Sequence, residues 1–217
     1  MRKKNVIYFL CPKLSAVIKY WNLKERFCFM KTDPLKNIDE LVQTLQSLKK
    51  LSAQICGAAQ LCAKRISEGS SIFSCGNGGS AADAMHFAEE LSGRYKHDRR
   101  ALPGICLNSD SCALTCIAND FGYERVFARQ LEAFAKAGDV LVLFSSSGNS
   151  PNLVAALETA KRLGVYTVML CGKDGGKCAG LADAEIIVPS QNGARVQEAH
   201  SVLLHTIIEG IEANIQK

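Results

Sequence analysis

Two stretches of this chain repeat one design: a short apolar run, a loop of small polar residues, then a segment with apolar residues at helical spacing. In the first, residues 71–75 lead through 76–80 into 81–91. In the second, 140–144 lead through 145–150 into 152–163. Apolar runs this short, bounded by glycine and serine, read as fully buried strands. A strand followed at once by a helix calls for the next strand to run parallel, because the helix carries the chain back along the sheet. Residues 105–107, 166–170 and 185–188 read as further strands. Residues 109–118, 124–137 and the long closing stretch 195–214 read as helices, as do 35–46 and 51–66 ahead of the first strand. The expectation is an α/β fold in one domain, residues 30–217: a parallel sheet flanked by helices in a flavodoxin-like three-layer sandwich, preceded by an N-terminal helical segment. Ligands of such sheets bind beyond the carboxyl ends of the strands, where both polar loops belong.

The 217 residues suit one well-cored domain. The net charge of +5 does not describe the body of the chain. Residues 1–29 hold seven cations (Arg2, Lys3, Lys4, Lys13, Lys19, Lys24, Arg26) against Glu25, so the remainder is close to neutral. A basic nucleic-acid surface is therefore not expected. No apolar run reaches the ~20 residues of a membrane span. Neither nucleic acid nor a membrane is an expected partner. The ten cysteines include no CxxC pair among Cys56, Cys62, Cys75, Cys106, Cys112, Cys116, Cys171 and Cys178, most of them in apolar stretches. They read as buried, reduced thiols, which fits a cytoplasmic protein.

Residues 1–29 differ from the rest. Arg2–Lys4 and the apolar residues up to Cys11 imitate a signal peptide, but Lys13 interrupts the run early. The extension lacks helical or strand periodicity and contains no candidate site residue. Met30 opens a segment that leads directly into a helix, so translation from Met30 is the expectation, with residues 1–29 a non-native or disordered extension.

Four constellations carry chemistry. The loop Gly76-Asn77-Gly78-Gly79-Ser80 offers backbone amides and a helix N-terminus to an anion. It lacks the GK[ST] of a P-loop and the GxGxxG fingerprint, so a plain tight turn remains open. Ser145-Ser146-Ser147-Gly148-Asn149-Ser150 sets four hydroxyls around one glycine at the start of a helix, an uncharged cradle for a phosphate. His86 and Glu90 stand four apart, on one helix face, where they suit a shared metal ion, or Glu90 suits a general base. Gln197, Glu198, His200 and His205 lie on the closing helix, where a histidine among apolar residues is more often a core residue than a ligand.

Together these stretches resemble the bacterial phosphoheptose isomerases of the SIS (sugar isomerase) domain family. The similarity is carried by CGNGGSAADAMHFAEELSGRY at 75–95, AND at 118–120, SSSGNSPN at 145–152, GKDGGK at 172–177 and RVQEAH at 195–200. It implies interconversion of sedoheptulose 7-phosphate and D-glycero-D-manno-heptose 7-phosphate. It implies one zinc ion per subunit held by His86, Glu90, Gln197 and His205, with Glu90 and His205 as the acid–base pair. It implies substrate contacts from Asn77, Gly78, Gly79, Ser80, Glu90, Arg94, Asn119, Asp120, Ser145, Ser146, Ser147, Ser150 and Gln197. It also implies a homotetramer with active sites between subunits. One departure is Ala194, where some members carry an acidic residue beside the arginine.

Residue types and chemistry agree: moving a proton between adjacent carbons needs a base and an acid, and Glu90 and His205 qualify. The spacing raises one tension. Gln197 and His205 are ~12 Å apart along a straight helix, so a single metal reaches both only with extended side chains or across a subunit interface. The expectation is a shared site, with Glu90 and His205 on different chains, and a closing helix whose broad apolar surface meets a neighbour. The alternative function is that of a non-catalytic SIS protein that binds the replication initiator DnaA. Glu90, Gln197 and His205 favour the enzyme.

Overall fold

In the computed structural model, residues 33–215 are described. The expectations for residues 1–29 and for a start at Met30 lie outside them. The chain divides into two compact units, Met1–Asp39 and Glu40–Lys217. The described part of the first is the opening of helix α1 (Pro34–Ser47), where Asp33 Oδ1 accepts the amides of Leu35 at 3.0 Å and Lys36 at 3.4 Å. Aspartate before a proline at the first helical position is a favoured helix start.

In the second unit, α2 (Ser52–Ser67) leads to β1 (Ile72–Gly76), α3 (Gly79–Ser92), β2 (Gly104–Cys106), α4 (Ser111–Phe121) and α5 (Ala128–Phe134). Then follow β3 (Val140–Ser145), α6 (Pro151–Leu163), β4 (Tyr166–Gly172), β5 (Ala184–Val188) and α7 (Gly193–Ile215). All four strand pairings are parallel, in the order β2-β1-β3-β4-β5. That order is the flavodoxin-like one, and its switch point lies between β1 and β3. The two polar loops follow these two strands, which pair Ile72 with Val140 through to Gly76 with Phe144.

Every residue of β1 and β3 is buried, as expected for strands covered on both faces. One apolar layer sets Phe87 and Leu91 of α3, Ile66 of α2, and Leu203 and Ile207 of α7 against the sheet. The other sets Ile117 of α4, Leu131 of α5, and Leu153 and Leu157 of α6 against its opposite face.

Three expectations change. The helix expected over 124–137 is a short turn at Tyr123–Arg125 followed by α5; the break lets Val126 and Phe127 point into the core, both fully buried. The breadth of apolar surface on α7 does not require a neighbour: Val196, Ala199, Leu203, Ile207 and Ile211 are buried within this chain, and of the residues argued from only Val202 is substantially exposed. The eight described cysteines are free thiols, but Cys56, Cys112 and Cys116 are exposed. Burial pushes the thiol of Cys62 up to about 12 and those of Cys171 and Cys178 to about 11, so these three stay protonated and inert. Among the described residues, no helix is long and apolar enough to cross a membrane.

Candidate active site

The Ser145–Ser150 loop is held by its own backbone. Gly148 adopts φ +65°, and a Cβ there would lie 1.8 Å from the Gly175 carbonyl oxygen, so only glycine fits. The Gly148 amide donates to Ser145 Oγ at 3.0 Å, and the Asn149 amide points to Ser147 Oγ at 3.4 Å. Ser146, Ser147 and Ser150 are partly exposed at the N-terminus of α6, whose Ser150 cap position makes no side-chain capping bond. Three partly exposed serines thus stand at the start of α6, where hydroxyls and the helix dipole suit a phosphate.

The Asn77 loop stands beside it. The Asn77 and Asn152 side chains exchange two hydrogen bonds, at 2.9 and 2.8 Å, which fastens the first loop to α6. The Tyr123 hydroxyl donates to Asn77 Oδ1 at 3.0 Å and ties the end of α4, with exposed Asn119 and Asp120, to the same loop. Asn119 Nδ2 donates to Asp120 Oδ1 at 2.7 Å. Gly78 and Gly79 are exposed at the start of α3, and Ser80 is buried. A Cβ at Gly79 would come within 2.5 Å of Gln197 Oε1, so the Gln197 amide rests on this loop. Asn77, Gly78, Gly79, Ser80, Asn119, Asp120, Gln197 and the serines thus gather towards the carboxyl edge of the sheet. Sequence reasoning gave no role to Tyr123 or Asn152; a tyrosine just beyond the AND motif was the available signal for the first.

His86, Glu90 and His205 form a second cluster. His86 Nε2 lies 3.2 Å and His205 Nε2 3.9 Å from Glu90 Oε1, and all three ligand atoms fall within 4.8 Å of one another. The two imidazoles meet edge to face, centroids 4.9 Å apart. Two imidazole nitrogens and a carboxylate oxygen are the donors of a catalytic divalent-metal site with open positions. The end of α3 that carries Glu90 is tied down: Arg99 donates to the Glu90 carbonyl at 2.6 Å and the Leu91 carbonyl at 3.0 Å, and to Glu212 of α7 at 2.8 Å in a buried ion pair. Arg94 is exposed just beyond α3.

This cluster sits at the opposite edge of the sheet from the loops. Glu90 is eleven residues past Gly79 on α3, about 16 Å at 1.5 Å per residue. Leu91 packs against Gly104, the first residue of β2. Helices α3 and α7 run side by side in the same direction: Gly79 meets Gln197, Asp83 accepts from Ser201 at 3.1 Å, and His86 meets His205. Asp83 is buried with one oxygen unpartnered, and burial holds its carboxyl above the usual range. One expectation changes here and one, from the spacing, holds. Glu90 and His205 come together within one chain, not from different chains. Gln197 of the same chain stands away from the cluster, because the rise of α7 separates it from His205.

The SIS domain family matches residues 36–172, and the chain belongs to that family. Within it, the chain is similar to phosphoheptose isomerases. It is 48% identical to that of Aliarcobacter butzleri over 178 residues, 82% of this chain and 90% of the relative. It is 54% identical to that of Vibrio cholerae over 161 residues, 74% of this chain and 84% of the relative. The structure of phosphoheptose isomerase GmhA from Neisseria gonorrhoeae superposes with a TM-score of 0.78 at 37% identity, covering 88% of this chain and all of that one.

Proposed function

We propose that this chain interconverts sedoheptulose 7-phosphate and D-glycero-D-manno-heptose 7-phosphate, a ketose–aldose isomerisation of bacterial heptose biosynthesis. The observation that carries the proposal is the meeting of Glu90 and His205 with His86, in a chain about half identical to phosphoheptose isomerases. From the ketose, the Glu90 carboxylate takes a proton from C1; the C–H electron pair becomes the C1–C2 double bond, and the C2 carbonyl oxygen gains a proton, giving an enediol. Glu90 then returns its proton to C2, while the C1 hydroxyl gives up its own and becomes the aldehyde. His205, whose Nε2 lies 3.9 Å from Glu90 Oε1, serves the two oxygens. His86, Glu90 and His205 would hold zinc, which supplies polarisation of the carbonyl when bound. A glutamate so placed between two histidines speaks against the replication-initiator-binding alternative.

The separation of loops and cluster supports a site built by two copies. From C1 to phosphorus, a heptose 7-phosphate spans roughly 10 Å at the reach per bond of an extended chain. That is shorter than the about 16 Å of α3 between Gly79 and Glu90. One copy then supplies Asn77–Ser80, Ser145–Ser150, Asn119, Asp120 and Gln197, and a second supplies His86, Glu90, His205 and Arg94. In that arrangement, Gln197 of the first copy, which lies with its loops, completes the zinc ligands held by the second. Exposed Met85 on α3 and Val202 on α7, at 44% and 43%, provide apolar surface for the contact. A homotetramer of this kind, in the reducing cytoplasm that eight free thiols suit, is part of the proposal. The test is incubation of the purified, zinc-supplemented protein with sedoheptulose 7-phosphate, watched by proton NMR. Growth of aldose signals is expected; an unchanged spectrum would overturn the reading.

A further inference from the structure

His205 is only partly enclosed, its side chain 38% exposed on α7. A half-exposed imidazole on a helix has several rotamers, and only some of them bring Nε2 to Glu90. Its ring is nevertheless bounded on two sides. His86 meets it edge to face. Tyr95 stacks on it, with centroids 5.5 Å apart and planes 18° from parallel. Tyr95 lies in the segment after α3 and is anchored in turn to α7: its hydroxyl donates to Glu209 Oε1 at 3.0 Å, an oxygen that Lys96 Nζ also reaches at 2.5 Å. Glu209 stands one helical turn beyond His205. The tyrosine ring is thus held over the imidazole by a bond to the same helix that carries it.

We propose that Tyr95 is a positioning residue for His205, one that fixes the imidazole plane so that Nε2 points at Glu90 and at the metal they share. The role rests on the functional reading above for its catalytic consequence, but its effect on the His205 ring does not. In this role Tyr95 acts through the His205 ring it stacks on; it removes the rotamers in which His205 swings away. The flat face is what matters, and the hydroxyl serves to hold that face in place. Stacking of this geometry is a recognised aromatic contact, and residues that orient metal-binding histidines change metal affinity or activity by roughly 10- to 100-fold when lost.

The experiment compares Tyr95→Leu and Tyr95→Phe in the full chain. The readouts are kcat and KM for sedoheptulose 7-phosphate, Zn²⁺ affinity of the chelator-stripped protein by competition with a chromophoric chelator, and thermal unfolding of the stripped protein. Tyr95→Leu is expected to lower kcat and Zn²⁺ affinity about tenfold each, with KM and the unfolding temperature nearly unchanged. Tyr95→Phe, which keeps the ring but loses its anchor to Glu209, should lose clearly less of both than Tyr95→Leu. Unchanged kcat and Zn²⁺ affinity in Tyr95→Leu would overturn the proposal. So would an equal loss in Tyr95→Phe, or a rise in KM in step with the fall in kcat. If Tyr95→Leu does not fold, Tyr95→Met, of similar bulk but without a flat face, carries the same expectations. Wild-type protein inactive on sedoheptulose 7-phosphate would refute the functional reading alone, and the Zn²⁺ titration would still decide the role of Tyr95.

Discussion

The division of the site between two copies can be tested by mixing inactive chains. Glu90→Gln removes the base from the cluster, and Gln197→Ala removes a group that lies with the loops. In a mixed oligomer an intact site needs its cluster from a Gln197→Ala chain and its loops from a Glu90→Gln chain. With equal amounts and random pairing, each condition holds half the time, so about one quarter of sites are whole in a symmetric assembly. The assay is turnover of sedoheptulose 7-phosphate after joint unfolding and refolding of the two variants, set against each variant refolded alone. About a quarter of the wild-type rate per chain is expected. The control pair is Glu90→Gln with His205→Ala. Their side chains lie 3.9 Å apart in one chain, so both lesions fall on the same cluster and no hybrid site is whole. Stable mixed oligomers of the first pair without activity would show that one chain carries the whole site, and the argument from the length of α3 would fail. Recovery in the control pair would show that Glu90 and His205 act from different chains after all.

Three further outcomes are expected. Glu90→Gln should fold and assemble as wild type yet lose at least ~10²-fold in kcat, since an amide of the same shape cannot take the proton; retention of a tenth of the rate would remove Glu90 from that role. Ser147→Ala should weaken binding of the phosphorylated sugar by roughly 1–2 kcal/mol in calorimetry, the scale of a hydrogen bond to a charged group, and leave an unphosphorylated analogue unaffected. His200 is fully buried against Phe144 with neither ring nitrogen partnered, and burial lowers it from 6.5 to about 4, against a weak opposing influence of the Cys171 backbone. The unfolded chain therefore takes up this proton first, so stability is complete above pH 6.5 and falls by about 3 kcal/mol as the pH drops towards 4; denaturant titrations of His200→Leu should lack that part of the slope, and an identical slope would refute the assignment.

The architecture was legible in the sequence because buried parallel strands leave uninterrupted apolar runs and their loops leave glycine and serine at fixed places. Strand β3 runs Val140–Ser145 against an expected 140–144, and α6 runs Pro151–Leu163 against 152–163. The apolar residues of 124–137 hid a break, since core residues Val126 and Phe127 fit a helical stripe as well as a turn. Individual site residues were legible by type and motif. Their grouping was not. Spacing along α7 showed that Gln197 and His205 could share one metal only with extended side chains or across a subunit interface, but it did not say which of the two stays with Glu90. That depended on how α7 lies against α3, which is decided by the packing of Phe87 and Leu91 beside Leu203 and Ile207 in one apolar layer. Tyr95, Asn152 and Tyr123 act through contacts distant in sequence, and periodicity carries no trace of such contacts.

The parallel course of α3 and α7 links the fold to the proposed assembly. The two helices are one strut, with contacts at Gly79 and Gln197, at Asp83 and Ser201, and at His86 and His205. In the proposed function, one end of the strut carries the phosphate-binding half of a site, and the other carries the acid–base half. On that proposal neither half serves alone, because the strut is longer than the substrate. A two-fold axis across such struts, laid in opposite directions, sets the loop end of each copy against the cluster end of the other and completes two sites at once. Two-fold contacts of this self-complementary kind are the commonest in soluble oligomers. Met85 and Val202, on the two helices of the strut, are the apolar side chains left exposed for such a contact. The rigidity of the strut then becomes a catalytic requirement: a shift of its helices by one turn, ~5 Å, would carry the base out of reach of a carbon whose phosphate is already bound.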